Sequence, residues 1–172
     1  RVYHELNITD IESLNYIFQI VCAISLLVGA YGAITQKIIK RLLAFSSINH
    51  IGFILLGMMS YKLMSEGTLF FYLIVYLITT FGIFAVILNL RTVDGEVIKI
   101  SDLNGLRFTS RPKAIALLVF LFSLAGIPPF AGFFAKFFIL SASVNEGLYL
   151  LSIIAVISSV IAAFYYLSVI KN

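Results

Sequence analysis

Five apolar segments make up most of this sequence and restrict the folds open to it. Four of them hold 20 to 24 residues and one holds 30, and about 20 apolar residues are enough for an α-helix to cross a bilayer. Only 12% of the 172 residues are charged, about half the share in soluble domains. The sequence therefore predicts an all-α integral membrane protein. The segments are 14–35, 42–61, 67–90, 114–143 and 147–170.

The 30-residue segment contains two consecutive prolines, Pro128 and Pro129. Proline lacks a backbone donor and clashes with the preceding helical turn, so we expect two half-helices joined near residues 126–130. A kinked but continuous helix is the alternative. Unwound backbone at membrane depth is tolerated only inside protein or beside a water-filled cavity. A break here is therefore expected to face the bundle interior.

Basic residues are distributed unevenly between the two sides of the membrane. With alternating crossings, nine of the 12 lysines and arginines fall on one face, which the positive-inside rule assigns to the matrix or cytoplasm. Residues 1–13 are expected to form a polar N-terminal arm, and residues 14–172 a five-helix transmembrane domain. The nine are Lys37, Lys40, Arg41, Arg91, Lys99, Arg107, Arg111, Lys113 and Lys171.

Lys136 is the one basic residue that this topology places inside the membrane. No acidic residue lies within nine positions of it, and phenylalanines flank it at 133, 134, 137 and 138. Intramembrane charges are energetically costly and usually functional, and burial among these rings would favour the neutral amine over the ammonium. We predict that Lys136 relays protons. The alternative is a lysine that extends to the membrane interface.

A polar cluster lies in the middle of the second segment. Helical spacing puts Ser46 and His50 on one face, where they could order water between proton-carrying groups. Packing between helices through small and polar residues is the alternative, and it is the favoured reading for Ser47 and Asn49.

Tyrosines recur in the third and fifth segments. Tyr72 and Tyr76 are one helical turn apart and could line a hydrated path, although packing is the favoured interpretation. Tyr165 and Tyr166 are expected to be aromatic anchors at the membrane interface.

Several kinds of chemistry lack their residues in this chain. Cys22 is the only cysteine, which excludes an internal disulfide and a cysteine-based metal cluster. Two histidines make a haem with paired histidine ligands a poor fit. The sequence has no glycine-rich phosphate loop, zinc-binding His-Glu pair or basic nucleic-acid stripe. We expect no cofactor, metal or redox site in this chain.

Two longer motifs resemble a known family. Residues 35–53 read TQKIIKRLLAFSSINHIGF, and residues 123–137 read SLAGIPPFAGFFAKF. The first resembles a connector and helix of the antiporter-like membrane subunits of respiratory complex I, and the second resembles their broken twelfth helix. The resemblance covers residues 14–170. It is greatest to subunit 2, because Lys136 replaces the glutamate typical of subunit 4, and residues 72–82 lack the histidines and lysine of subunits 4 and 5.

This resemblance implies a non-redox, proton-translocating subunit of NADH:ubiquinone reductase in the mitochondrial inner membrane. Lys136 would pass protons toward the intermembrane side, supported by His50, Ser46, Tyr72 and Tyr76. NAD, FMN, iron–sulfur clusters and ubiquinone would belong to other subunits. The expected partners are other membrane subunits of complex I and lipids, with no nucleic acid.

The chain matches the ninth to thirteenth helices of a fourteen-helix family core, which is the second of two inverted repeats. We therefore expect a split subunit and a separate chain that carries the first repeat, with a piece of a longer, unsplit subunit as the alternative that would give the same sequence. Two alternatives remain: a cation/proton antiporter module, and a structural membrane subunit that no longer transports.

Overall fold

The computed structural model describes residues 8–60, 66–92, 95–96 and 99–171. Four of its helices are long and apolar enough to cross a membrane, and a shorter apolar helix covers Ala131–Asn145. The predicted class, an all-α integral membrane protein, is confirmed. The helices are α1 (Ile8–Ile34), α2 (Ile39–Met59), α3 (Glu66–Leu88), α4 (Leu106–Thr109), α5 (Arg111–Ala125), α6 (Ala131–Asn145) and α7 (Tyr149–Lys171).

Helix α1 begins earlier than the first apolar segment of the sequence. It starts at Ile8, so the later part of the predicted polar arm is helical. Residues 1–7 lie outside the described part of the chain, as does Lys62, which was predicted on the face with fewer basic residues.

The 30-residue segment holds two separate helices. Helix α5 ends at Ala125, where Gly126 adopts a left-handed conformation with φ of 78°. The Gly126 amide donates to the carbonyls of Phe122 and Ser123, which closes the last turn of α5. Pro128 and Pro129 follow, joined by a cis peptide bond, and α6 starts at Ala131.

Two basic connectors meet on one face of the bundle. The connector between α3 and α5 holds the strands β1 (Arg91–Thr92) and β2 (Gly95–Glu96), a 3-10 helix over Ile100–Leu103, and α4. Lys99 forms an antiparallel bridge with Ile38, between α1 and α2, and the Ile100 amide donates to the Lys37 carbonyl at 3.0 Å. The two connectors therefore share a face, as the alternating topology predicts.

Helices α1 and α2 approach each other closely through small residues. A Cβ at Gly52 would come within 2.7 Å of Leu26, and one at Gly29 would overlap the Asn49 backbone. The Asn49 amide donates to the Leu26 carbonyl at 2.9 Å, and the Cys22 thiol donates to the Gly52 carbonyl at 3.2 Å. The packing interpretation of Asn49 is confirmed.

Candidate functional site

The Lys136 side chain lies inside the bundle, and only 5% of it is exposed. Its Nζ donates to the Leu124 carbonyl at 2.8 Å and to the Ala125 carbonyl at 3.4 Å. These two carbonyls belong to the last turn of α5. In the last turn of a helix the carbonyls lack helical hydrogen-bond partners and carry partial negative charge. The amine is thus held by helix-end dipoles and does not extend to the interface.

Two glycines allow the backbone to surround the amine. A Cβ at Gly126 would come within 3.0 Å of Lys136 Cδ, and one at Gly132 would overlap the Ser123 carbonyl. The Gly132 amide also donates to Ser123 Oγ at 3.2 Å. The start of α6 therefore packs directly against the end of α5, and this contact sets the position of Lys136 beneath the Leu124 carbonyl.

The predicted aromatic surroundings of Lys136 are wrong in part. Phe134, Phe137 and Phe138 are exposed on the outer side of α6, because residues one or two positions from Lys136 point to other sides of the helix. The aromatic ring at the amine belongs to α2: Nζ lies 5.3 Å from the centroid of Phe53. That distance permits a cation–π contact.

His50 lies in the centre of a buried hydrogen-bond cluster, with 3% of its side chain exposed. Its Nδ1 is 2.7 Å from the Tyr72 hydroxyl, and its Nε2 is 3.4 Å from the Tyr166 hydroxyl. Ser46 Oγ bonds the same Tyr166 hydroxyl. The Tyr76 ring packs against the imidazole with centroids 4.8 Å apart.

A small cavity joins the lysine to the histidine cluster. Its volume is about 10 Å³, which is the space of roughly one water molecule. The structure thus brings Lys136, His50, Tyr72 and Tyr76 to one cavity, while Ser46 connects to it through Tyr166. Polar side chains in its lining are His50, Tyr72, Tyr76, Thr79, Ser123 and Lys136.

Tyr166 and Ser123 are site residues that the sequence reading missed. The predicted interface location of Tyr165 and Tyr166 is wrong, since both side chains are buried in the bundle. A signal for Tyr166 exists in α7, where Ser158, Ala162 and Tyr166 recur every four residues and all face the interior. No comparable pattern marks Ser123, whose role depends on the return of α6.

The side chains around the Lys136 cavity can bind a proton and transfer it from one to another. Hydrogen bonds connect the imidazole with three hydroxyl groups, and the shared cavity brings the amine next to this cluster. Within the described residues, no group of three or more histidine, cysteine or acidic side chains could hold a metal ion. Acid–base chemistry is the activity that these side chains can supply.

Comparisons with known proteins agree with the motifs. The chain is 47% identical over 160 residues to NADH-quinone oxidoreductase subunit N of Hirschia baltica, a match that covers 92% of this chain and 34% of that protein. It is 45% identical over 152 residues to the same subunit of Rhodospirillum rubrum, with 88% and 31% covered. The chain therefore spans about a third of the length of these curated relatives.

Solved structures share the fold. A chain of respiratory complex I from Thermus thermophilus with bound aureothin superposes with a TM-score of 0.80 at 31% identity, over 91% of this chain and 35% of that one. A chain of the Mrp complex from Dietzia sp. DQ12-45-1b gives 0.81 at 29% identity, over 90% and 29%. The profile of one family, described as NADH:quinone oxidoreductase/Mrp antiporter, transmembrane, matches residues 2–162. This chain belongs to the NADH:quinone oxidoreductase/Mrp antiporter transmembrane family.

Proposed function

We propose that this chain forms the second-half proton path of a membrane subunit in a complex I-type NADH:quinone oxidoreductase. The observation that carries the proposal is the placement of Lys136, whose amine bonds the end of α5 beside a cavity shared with His50. The names of the sequence relatives support the same assignment.

In this proposal Lys136 alternates between ammonium and neutral amine. The ammonium is stabilised by the Leu124 and Ala125 carbonyls, and it can release its proton into the adjoining cavity. His50 and its hydroxyl partners then accept and pass the proton. A charge that arrives elsewhere in the membrane arm would drive the release, because electrostatic interactions are strong where water is excluded.

Helices α5 and α6 together would make the fourth, discontinuous crossing of five. Each holds 15 residues, or about 22 Å of helix, which is less than the roughly 30 Å hydrocarbon core. Neither helix can span alone, whereas the pair can. The five crossings would then correspond to one of two inverted repeats, with ion sites at the broken helix.

The redox chemistry is assigned to other subunits in this proposal. NAD, FMN, iron–sulfur clusters and ubiquinone would bind there, and this chain would couple to them through neighbouring membrane subunits. Resemblance to subunit 2 and residence in the mitochondrial inner membrane stay predictions. The relatives compared above are bacterial, so a bacterial plasma membrane is the other location. Detection of the chain in purified mitochondria, or in a bacterial membrane fraction, decides between them.

A separate chain with the first repeat also stays a prediction. The intact mass of the subunit, measured on the purified complex, tests it. A polypeptide that begins at Arg1 supports two chains, whereas a longer polypeptide continuous with Arg1 contradicts them.

The antiporter alternative draws on the likeness to the Mrp complex chain, while the sequence relatives favour the oxidoreductase. Sodium-dependent transport without coupling to NADH oxidation would support the antiporter.

For the structural alternative, Lys136→Leu is the discriminating substitution. A scaffold tolerates or gains stability from leucine at a buried position, whereas a proton path loses its carrier.

The central test is Lys136→Ala in the assembled complex. We expect normal assembly and a lower ratio of protons pumped to electrons transferred, measured by vesicle acidification during NADH oxidation. Lys37→Ala, which removes an exposed lysine of the basic connector, is the matched control and should leave the ratio unchanged. A normal ratio in Lys136→Ala would refute the proposed relay.

A further inference from the structure

An open groove of about 500 Å³ lies on the basic face of the bundle, away from the Lys136 site. The connector before α5 forms one wall, and α5 and the end of α7 form the others. A second hollow of about 370 Å³ adjoins it and adds Arg111. The two hollows share Arg107, Phe108, Ala114 and Ile115. The groove lies at the membrane surface, because it runs from a connector onto two apolar helices.

Three cations surround this groove. Arg107 and Lys171 line the larger hollow, Arg107 and Arg111 line the smaller one, and all three side chains are exposed. The Arg107 guanidinium lies 4.5 Å from the centroid of the Phe108 ring, which limits its freedom at the groove. No acidic side chain is present among the described residues that line either hollow. The rim therefore suits an anion, and guanidinium groups bind phosphate with well-matched geometry.

The floor of the groove is apolar and continues along α5. Leu117, Leu121 and Val169 form its buried part, while Ile115 and Leu118 are exposed at its edge. Ile115 and Leu118 are three residues apart, so they lie on one side of α5 and follow the helix into the membrane. A small anion would leave this apolar floor uncovered, whereas a hydrocarbon chain would pack against it.

We propose that this groove is a binding site for an anionic phospholipid. The phosphate contacts Arg107, Arg111 and Lys171, and one acyl chain lies along Leu118 and Leu121. The site faces the matrix or cytoplasmic leaflet in the predicted topology, where basic pockets between helices attract anionic headgroups. The proposal is independent of proton conduction through Lys136.

Photolabelling of the purified complex in nanodiscs tests the site. The discs contain phosphatidylcholine and a small fraction of phosphatidylglycerol that carries a diazirine in one acyl chain. After irradiation and digestion, mass spectrometry should find label on the peptide with residues 114–121. Phosphatidylcholine with the same diazirine should label it less. Unlabelled phosphatidylglycerol should compete, and inorganic phosphate should not, which separates a lipid from a free phosphate.

Two pairs of variants locate the contacts. Arg107→Gln combined with Arg111→Gln should reduce labelling by phosphatidylglycerol roughly five-fold for each cation removed. Lys37→Gln combined with Arg41→Gln changes the charge of the same face equally and should have little effect. Leu118→Trp should fill the acyl path and reduce labelling, unlike Val119→Trp, because Val119 is similarly exposed (38% against 37%) but lies outside the groove.

Three results of the lipid labelling would overturn the proposal. They are equal labelling by the two lipid probes, labelling that persists in Arg107→Gln/Arg111→Gln, and equal losses in Leu118→Trp and Val119→Trp. A photo-crosslinking amino acid at Ile115 that captures another protein subunit in place of lipid would also reject it, because a protein segment would then occupy the groove.

Discussion

Lys136 is satisfied by neutral groups, and this arrangement suits a residue that changes charge. Its contacts are two carbonyl oxygens and the face of an aromatic ring. A carboxylate partner would hold the ammonium firmly, since breaking a buried ion pair costs about 3–5 kcal/mol. Carbonyl dipoles stabilise the ammonium less strongly. Because the carbonyls carry no net charge, loss of the proton leaves no unpaired anion beside the amine.

At the same scale, Tyr72→Phe tests the hydroxyl that His50 contacts. The substitution removes a partner 2.7 Å from His50 Nδ1 and leaves that nitrogen buried, which we expect to destabilise the subunit by about 1–3 kcal/mol and to lower proton pumping. Tyr31→Phe is the control, since it removes a hydroxyl from an exposed tyrosine of α1 that lies outside the cavity. Equal pumping in the two variants would exclude the Tyr72 hydroxyl from the path.

The sequence predicts which residues form the site. It predicts only some of the side chains that each of them contacts. Lys136 and His50 are conspicuous because ionisable groups are rare in apolar segments. The contact of Phe53 with the amine, and the turn of Tyr166 toward Ser46, depend on how α2, α6 and α7 pack. Local sequence does not encode these distances, and so the neighbouring phenylalanines of α6 were wrongly expected around Lys136.

At the scale of the elements, the junction of α5 and α6 depends on glycine as well as proline. The prolines explain why a helix cannot continue through residues 126–130. The close return of α6 against α5 requires Gly132, where a side chain would overlap the Ser123 carbonyl. The prolines predict where α5 ends and α6 begins, whereas the packing of α6 against α5 depends on tertiary contacts that local sequence does not encode.

Gly126→Ala and Gly147→Ala form a matched pair for this junction. Both glycines have φ near 80°, so alanine costs each about 1–2 kcal/mol. A Cβ at Gly126 also meets the Lys136 stem, while one at Gly147 has open space within 4 Å. We expect similar losses of thermal stability from this strain, with an added loss in Gly126→Ala. Pumping should fall in Gly126→Ala and stay normal in Gly147→Ala. Equal pumping in the two variants, or a loss in Gly147→Ala alone, would contradict the role of the junction.

At the scale of the whole molecule, the alternation of charge predicted which connectors lie together. The pairing of Ile38 with Lys99 places the two basic connectors on one face. Burial of Tyr165 and Tyr166 could not be predicted from composition, because an aromatic near a helix end suits either an interface or a core. Large exposed apolar side chains on α1, α3 and α7 leave broad surfaces for lipid or for further helices.

Thiol labelling tests the orientation of the molecule. Cys22 is fully buried, so a cysteine introduced at an exposed position supplies the reactive thiol of this chain. A membrane-impermeant maleimide should label Lys37→Cys only from the matrix or cytoplasmic side, and Asn145→Cys only from the opposite side. Labelling of both from one side would reject the predicted topology.

The cavity beside Lys136 has a volume of about 10 Å³, which is room for roughly one water molecule. A buried water makes about three hydrogen bonds, and the lining offers the hydroxyls of Tyr72, Thr79 and Ser123 as well as the lysine amine. A single bridging water would therefore be fixed by side chains from α3, α5 and α6, so a substitution that widens this space would loosen the bridge.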